Sequence, residues 1–98
     1  MANDTTGTPI RIDTFGADVS ISAKRFLMRR LIVTAYSAAK TVTFLDADNA
    51  VMLVLECPAG ETIMIDDEKG ILFDNGLKFD DSASDLAAND FIFIWKQR

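Results

Sequence analysis

A chain of 98 residues fits one small domain, which buries only about two thirds of the surface its unfolded chain exposes, so a hydrophobic content of 49% leaves apolar surface to be covered by association. Histidine is absent, which removes the usual general base of serine and cysteine nucleophiles and the commonest zinc ligand. Residues 1–45 hold six basic and three acidic side chains and residues 46–98 hold four basic and twelve acidic; the net charge of −5 disfavours nucleic acid as a partner, because phosphate contacts need a basic surface.

Met1 to Pro9 is small, polar and turn-rich, with nothing to bury. Ile10 to Asp13 alternates apolar and polar residues, and the alternation resumes at Val19 to Ser22. These are two short strands or an extended segment along a sheet edge. Residues 1–22 are therefore expected to form an extended N-terminal arm, with Ile10 and Ile12 as its anchors on a partner. Met1 to Ser22 also lacks the basic and apolar regions of a signal peptide, and no run of about 18 apolar residues occurs, so neither export nor a membrane partner is expected.

Helix and strand compete over Ala23 to Tyr36, since Ala, Lys, Arg, Leu and Met all favour helices. Projected at the helical angle of about 100° per residue, the apolar side chains scatter round the whole wheel. As a strand, Leu31, Val33 and Ala35 share one face and Ile32, Thr34 and Tyr36 the other, and the β-branched run Ile32-Val33-Thr34 supports a strand. Lys24, Arg25, Arg29 and Arg30 are the basic cluster of this region. Such residues usually edge a strand against solvent or the chain's own acidic loops; functionally they would dock an acidic partner.

Thr41 to Asp46 alternates as a half-buried strand. After the turn Asp46 to Asn49, the five apolar residues Val51 to Leu55 predict a strand covered on both faces. Ile63 and Ile65 point inward and Met64 outward on the next strand, which a charged turn from Asp66 to Gly70 ends. Asn75-Gly76 is a type I′ hairpin signal that pairs Ile71 to Asp74 with Leu77 to Phe79. Asp80 to Asn89 reads as a loop with room for one helical turn, capped by Asp81 or Ser82. In the last strand, Phe91, Phe93 and Trp95 line one face and Ile92 and Ile94 the other. Two strands apolar on both faces exceed what a small sandwich covers, so self-association is expected through Met52, Val54, Ile92 and Ile94.

Catalytic and metal motifs fail one by one. Asp46 to Asn49 opens like an EF-hand loop, but Val51 stands where the sixth-position glycine belongs and Cys57 where the twelfth-position glutamate belongs. Paired carboxylates for glycoside hydrolysis need a groove for which this body has little volume. Gly60, Gly70 and Gly76 sit at turns and never at phosphate-cradling spacings. The one cysteine, Cys57, ends an apolar strand and reads as a buried thiol. No catalytic residue, cofactor or metal is expected; acidic loops that converged on calcium would be the exception.

The strings Thr43-Phe44-Leu45-Asp46, Leu53-Val54-Leu55, Pro58-Ala59-Gly60-Glu61-Thr62-Ile63 and Gly70-Ile71-Leu72-Phe73-Asp74-Asn75-Gly76-Leu77 resemble small virion structural proteins of tailed bacteriophages over residues 28 to 95. The resemblance implies an all-β fold, a compact antiparallel β-sandwich or jelly-roll-like domain, over residues 23–98. It also implies a capsid decoration or cement role on the outer capsid, with the major capsid protein or another virion protein as partner, commonly as a trimer. The place would be the virion, assembled in host cytoplasm. The alternative is a tail, neck or fibre component, or a carbohydrate- or receptor-binding sandwich; the aromatic residues that fit core or interface positions leave mainly Phe15, Phe26 and Tyr36 for a sugar platform.

Overall fold

Short β-branched and aromatic runs bounded by Gly, Pro, Asn and Asp become strands in the computed structural model of the chain, which describes residues 3–7, 9–87 and 89–97. The strands are β1 (Ile10–Ile12), β2 (Val19–Ser22), β3 (Phe26–Thr34), β4 (Lys40–Leu45), β5 (Val51–Cys57), β6 (Thr62–Phe73), β7 (Leu77–Phe79) and β8 (Phe91–Lys96). No helix occurs among the described residues. Two antiparallel four-stranded sheets result, in the orders β1-β8-β3-β6 and β2-β7-β4-β5. The first strand thus pairs with the eighth, the second with the seventh, the third with the sixth and the fourth with the fifth.

The sheets share one core in a sandwich-like arrangement. Ile12, Met28, Leu31, Val33, Ile92 and Ile94 enter it from one sheet and Val42, Phe44, Leu77 and Phe79 from the other. Burying all of these requires a change of phase in β3, because Phe26 and Met28 occupy even positions while Leu31 and Val33 occupy odd ones. A β-bulge between Met28 and Arg30 supplies it, with the extra residue, Arg29, on the surface. On the other flank, β6 carries Asp67, Glu68, Lys69 and Gly70 between its paired residues Asp66 and Ile71. The charged turn expected to end that strand is therefore an excursion inside it, and four inserted residues preserve the inward phase of Ile65 and Ile71.

The arm drawn over residues 1–22 is not separate from the sheets where it is described. Ile10 and Ile12, expected as anchors on a partner, are buried in the chain's own core as β1 adds to β8, and Ile21 is buried from β2. Met1, Ala2 and Thr8 of that segment lie outside the described residues. Asn75-Gly76 is also not a hairpin: it carries the chain from β6 in one sheet to β7 in the other. A type I′ turn needs positive φ at both residues, and only Gly76 has it, at 89°. Asn75 instead donates from its side-chain amide to Asp48 Oδ2 at 2.8 Å, and its carbonyl accepts from the Ala47 N–H, tying this crossing to the β4–β5 turn.

The loop after β7 forms no helical turn, because its polar groups complete the edge of β4. Backbone N–H groups of Asp80 and Asp85 donate to the Thr43 and Thr41 carbonyls, while Ser84 Oγ and Asp85 Oδ1 accept from the Thr43 and Thr41 N–H groups. With no helix to cap, Asp81 and Ser82 do not serve as caps; Asp80 closes a local turn instead, its Oδ1 accepting from the backbone and hydroxyl of Ser82. At the end of the loop Asp90 is buried, and its carboxylate accepts from the N–H groups of Tyr36 (2.7 Å) and Ala87 (2.9 Å). Lys40 Nζ lies 3.7 Å away.

Candidate docking surface

Alternation along β8 sends Ile92 and Ile94 inward, so these residues, expected at a self-association surface, are fully buried. Their neighbours Phe91, Phe93 and Trp95 take the outer face of the sheet, where each is half-buried. The rings form a row, with centroids 5.2 Å apart for Phe91 and Phe93 and 6.2 Å for Phe93 and Trp95. Register extends the row across the sheet: Ile32 stands between Phe93 and Met64, and Met64 is 60% exposed. The result is a continuous apolar stripe on the outside of the sheet, with Arg11 beside Phe93 on the far strand.

The stripe has a charged border. Arg29 Nε donates to Asp66 Oδ1 at 3.0 Å and Arg30 Nη2 to Asp66 Oδ2 at 3.2 Å. The Arg30 guanidinium also lies 5.5 Å above the centroid of the Trp95 ring, a cation–π geometry. Arg29 and Arg30, expected to face an acidic partner, are thus paired within the chain. Lys24 and Arg25 occupy the β2–β3 connection, away from that pair in sequence and free of ion pairs among the described residues. The basic cluster seen in the sequence is therefore two structurally different pairs.

Met52 and Val54 are exposed on β5, at 44% and 54%, an edge strand of the other sheet. Cys57 is buried, and its Sγ donates to the Glu61 carbonyl. The acidic loops do not converge: among the described residues no group of three acidic or cysteine side chains is placed to hold a metal ion. Asp46 is occupied with the N–H groups of Asp48 and Ala50, and Asp81 Oδ1 with that of Gly16.

Hydrogen bonding sets the behaviour in acid. The Arg29 side chain, then Arg30, holds Asp66 below its ordinary value; the Ala50 N–H does so for Asp46, and the Thr6 N–H for Asp4. A carboxylate whose folded pKa is depressed contributes stability that is present above the unfolded value, about 3.9, and lost as pH falls through the folded one. Thermal melts should therefore be flat near neutrality and fall below about pH 4. Asp66→Asn should shallow that fall; an unchanged acid limb in this variant would mean that the Arg29–Asp66–Arg30 contact does not couple to folding.

Sequence reasoning missed that the aromatic face of β8, not its isoleucine face, is the outer one. The available signal lay in the partners across the sheet: Phe91 shares a row with Thr34 and Thr62, and Trp95 with Arg30 and Asp66. Polar residues that cannot enter a core mark the face they share as external. Compared with known proteins, the chain matches no family model, no curated protein and no solved structure.

Proposed function

We propose that this chain is a non-enzymatic structural protein of a tailed-phage virion, a decoration or cement protein that binds the major capsid protein on the outer surface of the head. The observation that supports this reading best is the outward stripe of Phe91, Phe93, Trp95, Ile32 and Met64. It is a partly exposed apolar patch on the outer face of a sheet, the kind of surface that marks a protein interface. Aromatic anchors of this type dominate binding energy when a partner excludes water from them. The pairing of first strand with eighth through fourth with fifth supports a jelly roll, since it is what wrapping one long antiparallel hairpin into two sheets produces. The resemblance in residues 28 to 95 supplies the virion context.

A map of purified particles tests the proposal, with copies expected on the outside of the head. Absence from gradient-purified particles overturns it. Met64→Glu together with Phe93→Ser should reduce particle binding at least tenfold, with the folded circular dichroism spectrum retained. Full decoration by this variant would remove the stripe from the attachment site. The same outward rings favour a second reading, a carbohydrate- or receptor-binding module on the tail or fibre. Copies confined to the tail tip, with binding to host-surface glycans, would select it.

A further inference from the structure

Sheet edges present unpaired N–H and C=O groups, and proteins normally blunt them. Three of the four edges here are blunted. The edge of β1 is met by Asp4, which exchanges two backbone hydrogen bonds with Arg11, both 2.8 Å. β2 is four residues long, half serine, and irregular between Ser20 and Ser22. β6 is interrupted by the excursion of Asp67, Glu68 and Lys69. β5 differs: β4 is its one ladder partner, and no charge or proline occurs from Val51 to Leu55. Among the described residues no other hydrogen bond reaches those five. Val51, Met52 and Val54 are 63%, 44% and 54% exposed, although they are apolar.

An open ladder of this kind is completed by another extended strand. The geometry points to a second copy of this chain: β5 pairs antiparallel with its own counterpart about a two-fold axis at Leu53. In that register Leu53 faces itself, Val51 and the bulged Met52 together face Val54 of the copy, and Ala50 falls opposite Leu55, so the opposed residues are apolar. Glu56 falls opposite Asn49, in the turn before the strand, and no like charges stand directly across from one another. Met52 and Val54 from both copies close into one cluster on the outer face. The bulge at Met52 bends the first residues of the strand but adds neither charge nor proline.

The two sheets β2-β7-β4-β5 thereby become one eight-stranded sheet spanning the dimer. Such a contact is isologous and closes on two copies, in contrast to the three-fold assembly that the phage resemblance implies. It is independent of the virion role, because the aromatic stripe lies on the other sheet.

The test is sedimentation equilibrium and native mass spectrometry of the full chain at micromolar concentration, with twice the chain mass expected. Val54→Lys sets a cation against Met52 of the copy and should weaken the dimer at least tenfold. Leu53→Cys should give a covalent dimer under mild oxidation, whereas the parent chain, whose cysteine is buried, should not. The cross-link supports the register even if Val54→Lys fails to fold. A monomer, a trimer or open-ended aggregation of the parent chain overturns the proposal, as does a dimer that is neither weakened by Val54→Lys nor cross-linked by Leu53→Cys. Particle binding by a monomeric Val54→Lys variant would separate the two readings, since the docking face is left intact.

Discussion

Asp90→Ala is expected to be among the most destabilising single changes in this chain. The carboxylate is 2% exposed and accepts from the N–H groups of Tyr36, two residues past the end of β3, and Ala87, in the loop before β8. Removing it leaves both donors, which sit in part-buried hydrogen bonds, without their acceptor, and an unsatisfied polar group costs on the order of 1–3 kcal/mol. Lys40 is less affected, because its ammonium also donates to the Asp85 carbonyl at 3.0 Å. A total of about 3 kcal/mol corresponds to a fall in melting temperature of on the order of 15 °C for a domain this size. Asp90→Asn should recover only part of it: the amide oxygen satisfies one N–H, while the amide nitrogen turns a donor towards the other. Melts must be compared at one protein concentration, since self-association raises apparent stability. A shift of only a few degrees for Asp90→Ala would show that water replaces the carboxylate and that the loop is not anchored through it.

Gly76→Ala should have the next largest effect, well beyond the same change at Gly70. Both glycines have positive φ, 89° and 83°, which an L side chain adopts at a cost of about 1–3 kcal/mol. The surroundings separate them. A Cβ on Gly76 would stand 2.6 Å from the Ser22 carbonyl oxygen, so the backbone where β2 ends must move. A Cβ on Gly70 meets the side chain of Leu27 at 2.7 Å, and that half-buried side chain can rotate aside. Roughly 2–4 kcal/mol is expected for Gly76→Ala and about 1–2 kcal/mol for Gly70→Ala, read as midpoints of urea unfolding. Equal losses would mean that strain in φ alone governs both sites.

Elements written into short-range pattern were legible in the sequence. Ala23 to Tyr36 contains residues that favour helices, yet its apolar positions match no helical face, and the segment contains β3. Val51 to Leu55 and Phe91 to Trp95 are strands for the same reason. What depended on long-range pairing was not legible. Asn75-Gly76 has the composition of a hairpin, but Asn75 is committed to Asp48 and Ala47, and β7 finds its neighbours in the other sheet. The inward face of β8 could not be chosen from apolarity alone, because both faces are apolar; its cross-strand partners Arg11, Thr34 and Arg30 decide it. Asp90 carries no local signal of its role, since its bond to Tyr36 spans 54 residues of sequence.

The nesting of first strand with last has a consequence for the chain as it leaves the ribosome. β4 and β5 can close as soon as both have emerged, and β3 with β6 soon after. β2 must then wait for β7, and β1 has no strand to join in its sheet until Ile92 and Ile94 have been added. Each inner closure shortens the effective loop for the next, so assembly proceeds from the middle of the sequence outwards. Contacts so distant along the chain make for slow folding, and the apolar strand β1 stays uncovered until β8 has been made. A nascent chain halted before Phe91 would hold the β4–β5 pair but leave β1 without β8 and one flank of β3 open, a species prone to stick to its neighbours.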